Sequence, residues 1–223
     1  MKKTFILIII LLLSGLPSLN SRSLNFKVGL FSPVLASDLW DINMENLVFQ
    51  KEDMMDLWYG IEYEHFMGKN LSVTLEAGTY SQSVFSQYSE FVYDDDSPIY
   101  QNMYLSITSL DFNFKLYPLG FRRVFIPFFG GGAGIYSWKY EQWGDFIDFE
   151  YGSVNEGFAD TSEYSLGFNA RGGFIFRFKR YMGISFEAKY HYLKGTLSSF
   201  FEGFEKLDLS GLTFNIGLNI YFR

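Results

Sequence analysis

The feature that most constrains this chain is an alternation of period two that recurs in eight segments. The clearest is MGISFEAKYHY, where Met182, Ile184, Phe186, Ala188, Tyr190 and Tyr192 fall on one face and Gly183, Ser185, Glu187, Lys189 and His191 on the other. Successive side chains of a β-strand point to opposite faces, so this pattern predicts a strand and excludes a helix. The same alternation is read over 24–33, 56–66, 71–81, 103–116, 124–138, 163–177 and 208–222. Connections between these segments alternate in length: long 34–55, short 67–70, long 82–102, short 117–123, long 139–162, short 178–181, then medium-long 194–207.

Charge follows the same rule. Of the 25 acids, 18 lie in the long connections or at the flanking Glu163, whereas the short ones carry Lys69, Arg122, Arg123, Lys179 and Arg180 and no acid. A soluble sandwich shares the alternation but has no need of two chemically different ends. An outer-membrane barrel does, with short turns at one end and long loops at the other.

The faces point the same way. In 163–177, Tyr164, Leu166, Phe168, Ala170, Phe174 and Phe176 oppose Ser165, Asn169, Arg171 and Arg177; in 208–222, Leu212, Phe214, Ile216, Leu218, Ile220 and Phe222 oppose Thr213, Asn215, Asn219 and Tyr221. A Lys or Arg facing lipid at mid-bilayer costs ~2–4 kcal/mol, so the polar faces are expected inside. This puts Glu62, Glu64, Glu76, Asp111 and Glu187 in the lumen against Lys27, Lys115, Arg171 and Lys189, five acids and four bases. The short turn 178–181 is expected to bring Arg171 nearly opposite Glu187, in a mixed-charge cluster that closes the barrel.

Composition agrees: 21% aromatic residues with 21 glycines suit strands and turns. The start of the chain has Lys2 and Lys3 before an apolar run from Phe5 to Leu13, the pattern of a secretory signal peptide, expected over 1–21 and followed by one domain over 22–223. The chain has no cysteine, so neither a lipid-modified cysteine nor a disulfide framework is available. A net charge of -7 without clustered Lys and Arg argues against nucleic acid as a partner.

Two segments carry a resemblance. VFIPFFGGGAGIYSW, Val124 to Trp138, resembles the Pro-aromatic-Gly-x-Gly-Ala-Gly strand of small outer-membrane barrels, and LTFNIGLNIYF is similar to their C-terminal assembly signal, with Phe222 as the closing aromatic and Arg223 departing from the usual end. The resemblance is to the eight-stranded OmpA/OmpX-like family. It implies an all-β, up-and-down, eight-stranded antiparallel transmembrane β-barrel in the outer membrane, with outer-membrane lipid and the barrel-assembly machinery as partners. By themselves, glycines 130, 131, 132 and 134 permit strong curvature and leave room for large neighbours. They form no phosphate-binding loop, since neither GxGxxG nor GK[ST] is present.

Some barrels of this size act on lipid A, so His65 and His191 are weighed as bases. The deacylase barrels resemble one another in a lipid-facing His-x-Ser; here His191 precedes Tyr192 and Leu193 and points inward, while His65 adjoins the turn 67–70. YDDDSP, Tyr93 to Pro98, groups three carboxylates without the spacing of a calcium loop and reads as a solvated tip. Aromatics of the long connections, including Phe85, Tyr88, Phe91, Trp143, Phe146, Phe149, Tyr151, Phe200, Phe201 and Phe204, form an adhesive surface or pack on one another. The expected role is therefore structural or surface-interacting, without catalysis, cofactor or metal, and any extracellular ligand belongs to the outward loops. The alternatives are a narrow channel or hydrophobic-ligand conduit and, behind it, a lipid-modifying enzyme.

Overall fold

The computed structural model describes residues 22–148, 151, 153–197 and 199–222. The expected signal peptide and Phe149 lie outside the described residues. Eight antiparallel strands close into a barrel: β1 (Arg22–Pro33), β2 (Asp56–Phe66), β3 (Leu71–Val92), β4 (Pro98–Leu116), β5 (Phe125–Asp148), β6 (Ser153–Lys179), β7 (Met182–Tyr192) and β8 (Gly211–Phe222). Each strand pairs with its sequence neighbours, and β1 pairs with β8, Arg22 opposite Phe222, to close the ring. Closure leaves no strand edge open in the belt region, which is what a sheet needs in hydrocarbon.

The facing is that read from the alternation. Along β7, Ile184, Phe186, Tyr190 and Tyr192 are exposed and Ser185, Glu187, Lys189 and His191 are buried. Outer faces of all eight strands form an apolar belt. On β8 it runs from Leu212 to Phe222, ten residue steps that at ~3.3 Å each and a ~40° tilt span about 25 Å, the height of a barrel's lipid band. The belt ends along one row of paired residues, a level in the ladder and not one height along the barrel axis: Tyr59 pairs with Thr79, Thr79 with Thr108, Thr108 with Ser137, and Ser137 with Tyr164. Beyond it the outer face is mixed, with Ser81 and Ser83 on β3, Ser106 and Asn102 on β4, and Lys139 and Glu141 on β5 beside the exposed Phe85, Tyr100 and Phe158.

That level marks the main departure from the sequence expectation. Segments 82–102 and 139–162, read as loops, are mostly strand: β3 to β6 have 22, 19, 24 and 27 residues, against 11 or 12 for the other four. Two hairpins thus rise past the belt as a tall wall, since only ~9–11 residues are needed to cross. The wall stands because its inner face is apolar and covered. Val84, Tyr88, Ile99, Met103, Tyr140 and Ala159 pack against Leu39, Trp40 and Leu47 of the connection 34–55 and Phe201 and Leu207 of the connection 194–210. The first of these, expected as loop, contains helix α1 (Asp38–Asn46), with Asp38 and Asp41 in its first turn, where they complement the helix dipole, and Trp40 fully buried. Its indole Nε1 donates to Asp208 O at 3.1 Å, pinning one lid segment to the other.

The tip of the β3–β4 hairpin is a tight turn. Asp95 accepts from Ser97 N at 3.1 Å and from Ser97 Oγ at 2.5 Å, bonds that hold its carboxyl below the usual range. Asp96 takes φ 63°, a left-handed conformation that Asp tolerates. The three carboxylates shape a turn, and among the described residues no three such ligands converge.

Candidate functional site

The lumen is filled in three tiers. Toward the tall wall, Phe31, Trp58, Tyr80, Met103, Leu105, Ile107 and Trp138 form an apolar tier continuous with the lid. At the short-turn end, Phe66, Tyr117, Phe121, Ile126, Phe128, Ile175 and Tyr221 form an aromatic floor, with Phe66 and Phe121 stacked at 4.2 Å. Between them lies the charged tier.

Parity places Lys27 of β1, Glu62 of β2, Glu76 of β3, Asp111 and Lys115 of β4, Arg171 of β6 and Glu187 and Lys189 of β7 in that tier, and every one is buried. Glu76 is the hub: it accepts from Lys27 at 2.6 Å, Arg171 at 2.8 Å and Lys189 at 2.6 Å. Glu62 receives Lys27 at 3.1 Å, Arg171 at 2.7 Å and Lys115 at 2.5 Å. Glu187 takes Lys27 at 2.9 Å and Arg171 at 3.5 Å, and Asp111 takes Lys189 at 2.8 Å. The remaining strands join through Tyr136 of β5, donating to Asp111 Oδ1 at 2.7 Å, and Asn215 of β8, donating to Glu187 at 3.4 Å. Charges withdrawn from water must be paired and hydrogen-bonded, and here four acids meet four bases.

Two expectations are corrected. Among the described residues no base forms an ion pair with Glu64: Ser23 Oγ donates to it at 3.2 Å, and the hydroxyls of Ser72 and Tyr117 donate to its other oxygen. It sits one step nearer the short turns than Glu62, at the floor, which is why three hydroxyls serve it and the balance above is even. Arg171 stands opposite Lys189, while Glu187 stands opposite Gly173. The shift follows from a turn tighter than 178–181, with pairing already begun at Lys179 and Met182; the irregularity between Arg177 and Lys179 takes back one residue of it, and Arg171 reaches Glu187 diagonally.

Glycine makes the packing possible. A Cβ on Gly132 would lie 2.0 Å from Phe112 O and 2.6 Å from Asn113 Oδ1, so the inner wall of β5 must be bare where the β4 side chains cross it. Gly78 lies beneath the Trp58 ring, whose Cζ2 is 2.3 Å from where a Cβ would stand. The sequence did not point to Tyr117 and Tyr136 as members of this network. Tyr136 could have been found from its parity with Gly132 and Gly134; Tyr117 lies past a strand end, where parity gives no signal.

Both histidines are buried. His191 Nδ1 lies 3.2 Å from Tyr136 Oη and its Nε2 3.1 Å from Thr213 Oγ1, and the Trp58 ring lies 5.1 Å from the imidazole. His65 is buried at the end of β2, opposite Arg22 and Val73. Phe222 is on the lipid face, 43% exposed. The lid aromatics divide: Tyr88 and Phe201 are buried, Phe85 stacks on Tyr100 at 4.8 Å, and Phe146 meets Phe200 at 5.7 Å.

No protein-family model matches the chain, and no curated protein matches it. Solved structures similar to it include a major outer membrane protein from Thermus thermophilus, at 9% identity and TM-score 0.49, covering 92% of this chain and 100% of that one. Ail, the attachment invasion locus protein of Yersinia pestis, is similar at 12% identity and TM-score 0.46, with 91% and 98% covered. The N-terminal β-barrel domain of Pseudomonas aeruginosa OprF is similar at 9% identity and TM-score 0.44, with 91% and 97% covered.

Proposed function

We propose that this protein is a non-catalytic barrel of the outer membrane, structural or surface-interacting in role, that presents its tall wall and lid outward and carries no traffic through its lumen. The observation that bears most weight is the charged tier. Its side chains tie all eight strands together across the lumen, so a water path would require breaking several buried ion pairs at once. An apolar tier above and an aromatic floor below add two further barriers, in keeping with an interior that eight strands leave just wide enough for side chains. Membrane residence is supported by the belt, since so large an exposed apolar surface is untenable in water. The absence of catalysis is supported by His191 lying between the apolar and charged tiers, out of reach of a lipid on the outer face. Fractionation followed by gel electrophoresis tests the reading. The protein is expected with the outer membrane, migrating differently before and after boiling; recovery of the unfused chain in the soluble periplasm would overturn it.

A further inference from the structure

The short-turn end holds a cavity of about 500 Å³ lined by Phe121, Arg122, Arg177, Arg180, Tyr181, Tyr221 and Phe222. Three guanidinium groups and no acid meet there, and among the described residues none of the three arginines is in an ion pair. Arg177 stacks on the Tyr221 ring, 3.9 Å from its centroid. Its Nε and the Tyr221 hydroxyl are both shielded from solvent; the guanidinium approaches the hydroxyl oxygen, and neither group has an acceptor for its proton. Buried donors are ordinarily satisfied, so two unsatisfied donors side by side among cations call for an acceptor that carries negative charge. Glu64, the acid of the adjoining floor, is already occupied by three hydroxyls.

We propose that this cavity holds the phosphodiester head group of an anionic phospholipid from the membrane leaflet at the short-turn end. Guanidinium forks match phosphate oxygens in pairs, which accounts for arginine at all three basic positions. The walls argue for a lipid over a free anion. Tyr221 and Arg177 lie on the lumen side, whereas Phe222 is exposed on the lipid side, 43%, and Tyr181 of the turn is 53% exposed, so the cavity opens where a head group meets its glycerol and acyl chains. The volume also lies within the range of organic-ligand sites. The inference rests on the membrane reading above.

The test is native mass spectrometry of the protein folded in a non-ionic detergent, titrated with short-chain phosphatidylglycerol, glycerol phosphate or inorganic phosphate. Each sample is first checked for the unboiled gel shift, so a protein that is no membrane barrel fails there and not in the titration. The wild type is expected to take up one phosphatidylglycerol. Arg177→Gln and the double variant Arg122→Gln/Arg180→Gln should bind at least about tenfold more weakly, the loss expected from removing charge-assisted bonds. Tyr221→Phe should weaken binding less, and Arg123→Gln, whose Nε is held by Leu119 O at 3.0 Å outside the cavity, should leave it unchanged. Equal uptake by wild type and the folded arginine variants would overturn the site. Uptake of glycerol phosphate or inorganic phosphate as tight as that of the lipid would overturn the lipid assignment.

Discussion

Glu76→Gln against Glu64→Gln separates an ion network from a set of hydrogen bonds at almost the same depth. Both carboxylates are fully buried and both accept three donors, but those on Glu76 are Lys27, Arg171 and Lys189, and those on Glu64 are hydroxyls. At Glu76 the isosteric amide turns four acids and four bases into three and four and points an N–H donor at cations 2.6–2.8 Å away. Leaving a buried charge uncompensated costs ~3–5 kcal/mol. At Glu64 the amide keeps an acceptor oxygen and loses only charge assistance, ~1–2 kcal/mol. Urea unfolding in lipid vesicles, followed by tryptophan fluorescence and by the fraction of unboiled shifted band, measures both; the midpoint should move while the slope is unchanged. Adding Lys189→Met to Glu76→Gln restores three acids to three bases and should recover part of the loss, a non-additivity that a set of independent contacts would not show. Equal losses for the two single variants, or a Glu76→Gln within about 1 kcal/mol of wild type, would refute the network reasoning.

Gly132→Ala should impair folding strongly, because the methyl would meet the backbone at Phe112 O, which cannot swing away; overpacking costs ~1–3 kcal/mol or more, read in the same unfolding assay. Trp40→Ala should loosen the lid by ~3–5 kcal/mol, visible as faster hydrogen exchange in 34–55 and 194–210 with the belt strands still protected.

Which faces look inward was legible because period two is insensitive to where a strand ends. Parity alone put Glu76, Asp111, Lys115, Arg171, Glu187 and Lys189 on one surface. Height was not legible. Glu62 and Glu64 share a parity, and only register places one among cations and the other at the aromatic floor. The tall wall was not legible because above Thr79 and Thr108 the outer face mixes Ser, Asn and Gln with Phe85, Tyr100 and Tyr104 while much of the apolar pattern has moved inside, so the strands lack the signal of a lipid belt. Helix α1 has nine residues and takes its stability from Leu39 and Trp40 in the mouth, a tertiary contribution that local sequence does not display. With an apolar tier above and a floor below the charged tier, Glu187→Ala is expected to destabilise the barrel without opening it.

Electrical recording in planar bilayers tests the sealed lumen most directly, using vesicles whose protein shows the unboiled gel shift. Wild type and Glu187→Ala should both give no steady conductance above the bare membrane. A steady, ohmic unit conductance in wild type would contradict the closed three-tier interior and make the barrel a channel.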